Sequence, residues 1–116
     1  MIVDKPWGKV TTYSLNQPSS VRLITVEPGE VTSEHYHRLR DEMWVVLDEG
    51  LTVQIGNKIV RAAAGEEFVV ASEEPHRISN EGERRGRVLE IAHGYTDEDD
   101  TFRLQDDYGR PLEPEW

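Results

Sequence analysis

The sequence contains no cysteine. That excludes disulfide bridges, thiolate nucleophiles and Cys-based zinc sites together. Basic residues are scarce: 13 Lys and Arg against 23 Asp and Glu give the 116-residue chain a net charge of −10. Nucleic-acid binding through counterion release needs a basic face, so no nucleic-acid partner is expected. No apolar run approaches the ~20 residues that cross a bilayer. Residues 1–7 have neither the basic nor the apolar region of a secretory leader, so a cytoplasmic protein with no membrane partner is expected. Convincing helical periodicity is missing before residue 96. Hydrophobic residues make up 36%, which suits one small domain built on one core.

What is present is strand sequence punctuated by turns. Residues 9–14, 21–26, 31–37, 42–47, 51–55, 58–62, 68–71, 76–79 and 87–92 read as nine short strands. Between them stand Glu27-Pro28-Gly29-Glu30, placed as a type II turn prefers, and the tight hairpin signals Asp48-Glu49-Gly50 and Gly56-Asn57. Nine strands at this spacing predict an all-β sandwich or barrel. One domain over 1–116 is expected, with its core at about 8–95 and an irregular segment at 96–116. Lys5-Pro6-Trp7-Gly8 reads as a turn with Trp7 as a packing anchor. The acidic run 97–100 reads first as a solvated loop, with a short helical turn near 99–104 as the alternative.

One stretch carries chemistry. On a strand, residues i and i+2 share a face, so His35 and His37 aim at one point. Glu42 opens the next strand and can return its carboxylate there. Two nitrogens and one oxygen make three corners of a metal site. A third histidine, His76, starts a strand after a Pro-containing turn. Taken singly, each of these is more often an ordinary strand residue; their common register favours metal. His93, alone at a strand end, reads as structural, and Trp44, Val46 and Ile78 as barrel lining. Histidines bind metal as neutral imidazoles, so affinity is expected to fall below pH about 6.

Gly29, His35, His37, Glu42 and Gly50 resemble the first signature of the cupins, and Gly65 to Asn80, with His76, resembles the second. The resemblance implies a double-stranded β-helix, a barrel of two facing antiparallel sheets. It also implies that His35, His37, Glu42 and His76 hold one divalent ion (Zn, Mn, Fe, Co or Ni). A narrower similarity runs from residue 5 to residue 110. Lys5-Pro6-Trp7-Gly8, the block from Pro28 to Val46, Pro75-His76-Arg77-Ile78-Ser79-Asn80 and Phe102 to Arg110 resemble the cupin domain of type II mannose-6-phosphate isomerases. This implies a sugar-phosphate substrate, aldose–ketose isomerisation and a homodimer. Such chemistry needs cations for the phosphate, with Lys5, Arg22, Arg77 and Arg110 as candidates. Tyr36 and Tyr108 are candidate hydrogen-bond donors, and Glu34 and Glu90 candidate bases. Three histidines and a glutamate also suit iron, so an Fe(II) dioxygenase-like cupin is the rival enzyme. A sugar-binding or regulatory cupin with a structural metal is the non-enzymatic rival.

Overall fold

The computed structural model describes residues 1–105. Among them lie eleven strands: β1 (Ile2–Lys5), β2 (Gly8–Thr11), β3 (Ser19–Val26), β4 (Glu34–Tyr36), β5 (Arg40–Val46), β6 (Leu51–Ile55), β7 (Lys58–Arg61), β8 (Glu67–Val70), β9 (His76–Asn80), β10 (Gly86–Gly94) and β11 (Phe102–Gln105). They form a β1-β2 hairpin, a four-stranded sheet ordered β3-β10-β5-β8 and a five-stranded sheet ordered β11-β4-β9-β6-β7. The described pairings are antiparallel. This is the double-stranded β-helix expected from the sequence.

Alternation along the strands decides what each sheet turns inward. On β5, Arg40, Glu42, Trp44 and Val46 are buried while Asp41 is exposed. On β9, His76, Ile78 and Asn80 are buried and Arg77 and Ser79 are not. Val26, Trp44, Val46, Leu51, Val53, Val70, Ile78 and Val88, drawn from both sheets, pack as the core. Each fully buried aliphatic side chain contributes roughly 1.5–3 kcal/mol.

The turns behave as their residues dictate. Glu30 N donates to Glu27 O across Pro28-Gly29, and Gly29 takes φ 80°, as a type II turn requires. Three expectations need correction. Trp7 is 74% exposed, so among the described residues it is not a buried packing anchor. Residues 2–5 add a strand ahead of the first one expected. Segment 96–116 was expected to be irregular; residues 96–105 carry a 3-10 turn (Glu98–Asp100) and β11, which pairs with β4, and 106–116 lie outside the described residues. Asp100, read as solvated, is buried.

Candidate metal centre

The site sits between the sheets. From the five-stranded sheet, β4 and β9 place His35 directly opposite His76. His37 follows at the end of β4. All three imidazoles are buried. Their ring centroids stand 4.5 to 5.0 Å apart, and one potential ligand atom from each lies within 4.8 Å of the others. Ligands of one tetrahedral ion stand about 3.4 Å apart, given metal–nitrogen bonds of about 2.0–2.1 Å. Closure on an ion thus asks for movements of about an ångström.

The outer nitrogens explain which atoms face inward. His76 Nδ1 donates to Glu74 O at 2.9 Å. His37 Nδ1 donates to Asp100 O at 3.1 Å. Ser33 Oγ lies 2.9 Å from His35 Nδ1. A carbonyl only accepts, so Nδ1 of His37 and of His76 carries the proton and Nε2 keeps its lone pair. Carbonyl partners of this kind orient ligating histidines and raise their basicity. Burial, the largest cause, lowers the pKa of all three, His37 to about 4. The centre therefore presents neutral imidazoles at neutral pH, the form that binds a metal.

From the opposite sheet comes Glu42. Its Oε2 is 3.5 Å from His37 Nε2, about the separation of two ligands of one ion. Both of its oxygens are engaged: Trp44 Nε1 donates to Oε1 at 2.9 Å and Arg40 Nε to Oε2 at 2.7 Å. Arg40 also donates from Nη2 to His37 Nε2 at 2.9 Å. The donor set fits a divalent ion in kind, with three imidazoles and a carboxylate whose pKa is lowered against the pull of burial by His76, Arg40 and His37.

Beside the histidines lies a small cavity of about 10 Å³, lined in part by Thr32, His35, Trp44, His76 and Glu90. Glu90 on β10 is 1% exposed. Burial first, then the Glu42 charge, raises its pKa to about 7. Arg22 on β3 donates to its Oε1 from Nε at 3.0 Å and from Nη2 at 2.7 Å. Glu34, the other candidate base, instead accepts from Gln54 at 3.1 Å.

The structure brings together His35, His37, His76, Glu42 and Arg22. It does not bring Lys5, Tyr36 or Arg77 to the cavity. Lys5 is exposed on the β1-β2 hairpin. Tyr36, on the face of β4 opposite His35, stacks on Phe102 at 5.2 Å. Arg77, on the face of β9 opposite His76, donates to Thr32 O at 3.0 Å. Arg110 and Tyr108 lie outside the described residues. Three residues escaped the sequence reading: Arg40, Ser33 and Asp100. Arg40 had a signal, because it continues backward the alternation of Glu42, Trp44 and Val46. Gly94, φ 113°, lets β10 end against this corner, where a Cβ would come 2.5 Å from Leu39 O.

Two facing antiparallel sheets with histidines converging between them define a cupin barrel. The pattern of the family described as "Mannose-6-phosphate isomerase C-terminal" matches residues 1–106, and the chain belongs to that family. It is 34% identical over 109 residues to a mannose-1-phosphate guanylyltransferase of Escherichia coli K12, covering 93% of this chain and 23% of that protein. It therefore spans about a quarter of the length of the curated relatives it matches. Among solved structures it is similar to a putative sugar phosphate isomerase from Acidithiobacillus ferrooxidans (28% identity, TM-score 0.60, 68% of this chain and 51% of that one). A Klebsiella pneumoniae double-stranded β-helix protein shares the fold (18% identity, TM-score 0.62, 71% and 72%).

Proposed function

We propose that this domain binds one divalent metal through His35, His37 and His76, with Glu42 as carboxylate ligand, and isomerises a sugar phosphate of the mannose 6-phosphate type. The observation that carries the reading is the convergence of three neutral imidazoles, those of His37 and His76 oriented by backbone carbonyls, beside a cavity lined by one buried carboxyl group, Glu90. When bound, a divalent ion supplies stabilisation of negative charge on substrate oxygens. Glu90 supplies the proton transfer between C1 and C2. A base that lines the cavity and titrates near pH 7 suits that task. Arg22 holds Glu90 by one oxygen and is the cation proposed to meet the substrate. At about 10 Å³ the cavity has room for about one water molecule, far below the ~300–1,000 Å³ of typical ligand pockets. A sugar phosphate therefore reaches Glu90 and the histidines only as the side chains around the cavity move apart.

Incubation with mannose 6-phosphate and Zn²⁺, Mn²⁺ or Co²⁺ should yield fructose 6-phosphate, and Glu90→Gln should lower kcat by about 10²-fold or more. No product under any metal would remove the isomerase reading. Oxygen uptake with Fe(II) would promote the dioxygenase in its place.

We also propose a homodimer. β3 is an edge strand of its sheet, and Val21 and Leu23 on its outer face are 61% and 54% exposed. An isolated two-stranded hairpin such as β1-β2 is marginal in water without cover. Sedimentation should report a dimer at micromolar concentration; a monomer throughout would refute the pairing.

A further inference from the structure

Arg40 stands where an ion would bind. The residue is 3% exposed, and its guanidinium spans Glu42 Oε2 and His37 Nε2 with hydrogen bonds of 2.7 and 2.9 Å. Those two acceptors are the carboxylate oxygen and imidazole nitrogen that lie 3.5 Å apart across the site. His37 has no second lone pair to offer, because Nδ1 is committed to Asp100 O. A guanidinium is not deprotonated at any working pH, so it does not yield by titration. Placing a doubly charged ion on the same two atoms would set like charges together where water screens them poorly.

We propose that Arg40 is a resident cation that competes with the metal for His37 and Glu42, so that an ion enters only as the guanidinium leaves. This rests on the metal reading above and adds a selectivity to it. An entering ion must draw most of its early binding from the imidazoles of His35 and His76. Ions that favour nitrogen, such as Zn²⁺ or Ni²⁺, meet that demand, and oxygen-seeking Mg²⁺ does not. The contrary role is that of a residue that merely orients Glu42, and such partners strengthen metal binding. The two roles predict opposite signs for one substitution.

The test is Zn²⁺ affinity of the full chain, wild type against Arg40→Met, by competition with a chromophoric chelator at fixed pH. The expected result is binding at least tenfold tighter in Arg40→Met, with Mg²⁺ bound by neither protein. Affinity that is unchanged or weaker, while the wild type still binds, overturns the competition and leaves the metal reading standing. Zn²⁺ taken up by neither protein overturns both. Because Arg40→Met leaves the Glu42 carboxylate buried beside an apolar chain and can fail to fold, a second measurement uses the wild type alone. The buried Arg40 Nε–H should give a slowly exchanging ¹⁵N-coupled signal that moves and loses protection at saturating Zn²⁺. A signal that keeps its position and protection overturns the proposal.

Discussion

His35, His37 and His76 have pKa values lowered chiefly by burial, His37 to about 4. An unfolded chain binds a proton at each near pH 6.5. The folded chain does not, so the stability of the metal-free protein is lost as pH falls from about 6.5 towards 4. Glu90 acts in the opposite sense. Its pKa is raised to about 7 from 4.5, so its contribution is complete below pH 4.5 and is lost as pH rises through 7. Between pH 4.5 and 6.5 three histidines act against one carboxyl, so the unfolded chain takes up more protons than the folded one and stability falls as pH falls. Urea unfolding of metal-free protein should therefore show stability falling from pH 6.5 to 5; a flat profile contradicts these environments. The same lowering moves the acid loss of metal binding below the pH of about 6 that unperturbed histidines would set. At this scale most of the site was legible. His35 and His37 follow from a period of two, and Glu42 and His76 from the spacing of both signatures. Arg40 was missed because β5 begins at Arg40 rather than at Glu42, which hid one inward position inside an apparent turn.

The 3-10 turn at Glu98–Asp100 and the strand after it latch the β4-β5 loop. Asp100 accepts from the backbone N–H groups of Arg38 (3.1 Å) and Leu39 (2.9 Å), and its carbonyl accepts from His37 Nδ1. Asp100→Ala would strand two backbone donors and should cost about 2–3 kcal/mol, read by denaturant unfolding, with weaker metal binding through a looser His37. A loss under 0.5 kcal/mol would show that the latch is not structural. No local pattern announces this contact, since 63 residues separate its ends. Only the run of acids was visible, and such runs are usually solvated. At a second turn Glu73 takes φ 68°, a region that costs a non-glycine residue about 1 kcal/mol. Glu73→Gly should raise stability by up to that amount in the same assay; a loss would mean that the side chain contributes more than its strain.

Across the whole molecule, the two sheets contribute different chemistry to one interior. β4 and its end bring His35 and His37 and β9 brings His76, while β5, β10 and β3 bring Glu42, Glu90 and Arg22 from the facing sheet. An ion held by both groups would tie the sheets together. At a free concentration of 100 times Kd it would add about 2.7 kcal/mol to stability. The barrel itself was readable because its strands alternate and its turns use the residues their geometry needs. The added strand at each end was not, being short and carrying little alternation. The central claim, that three buried histidines form a metal centre, is tested most directly by the stoichiometry of Zn²⁺ uptake in wild type and in His35→Ala and His76→Ala. One ion per chain in the wild type, weakened at least a hundredfold in both variants, is the predicted result. No saturable uptake, or uptake that both variants retain unchanged, would contradict it.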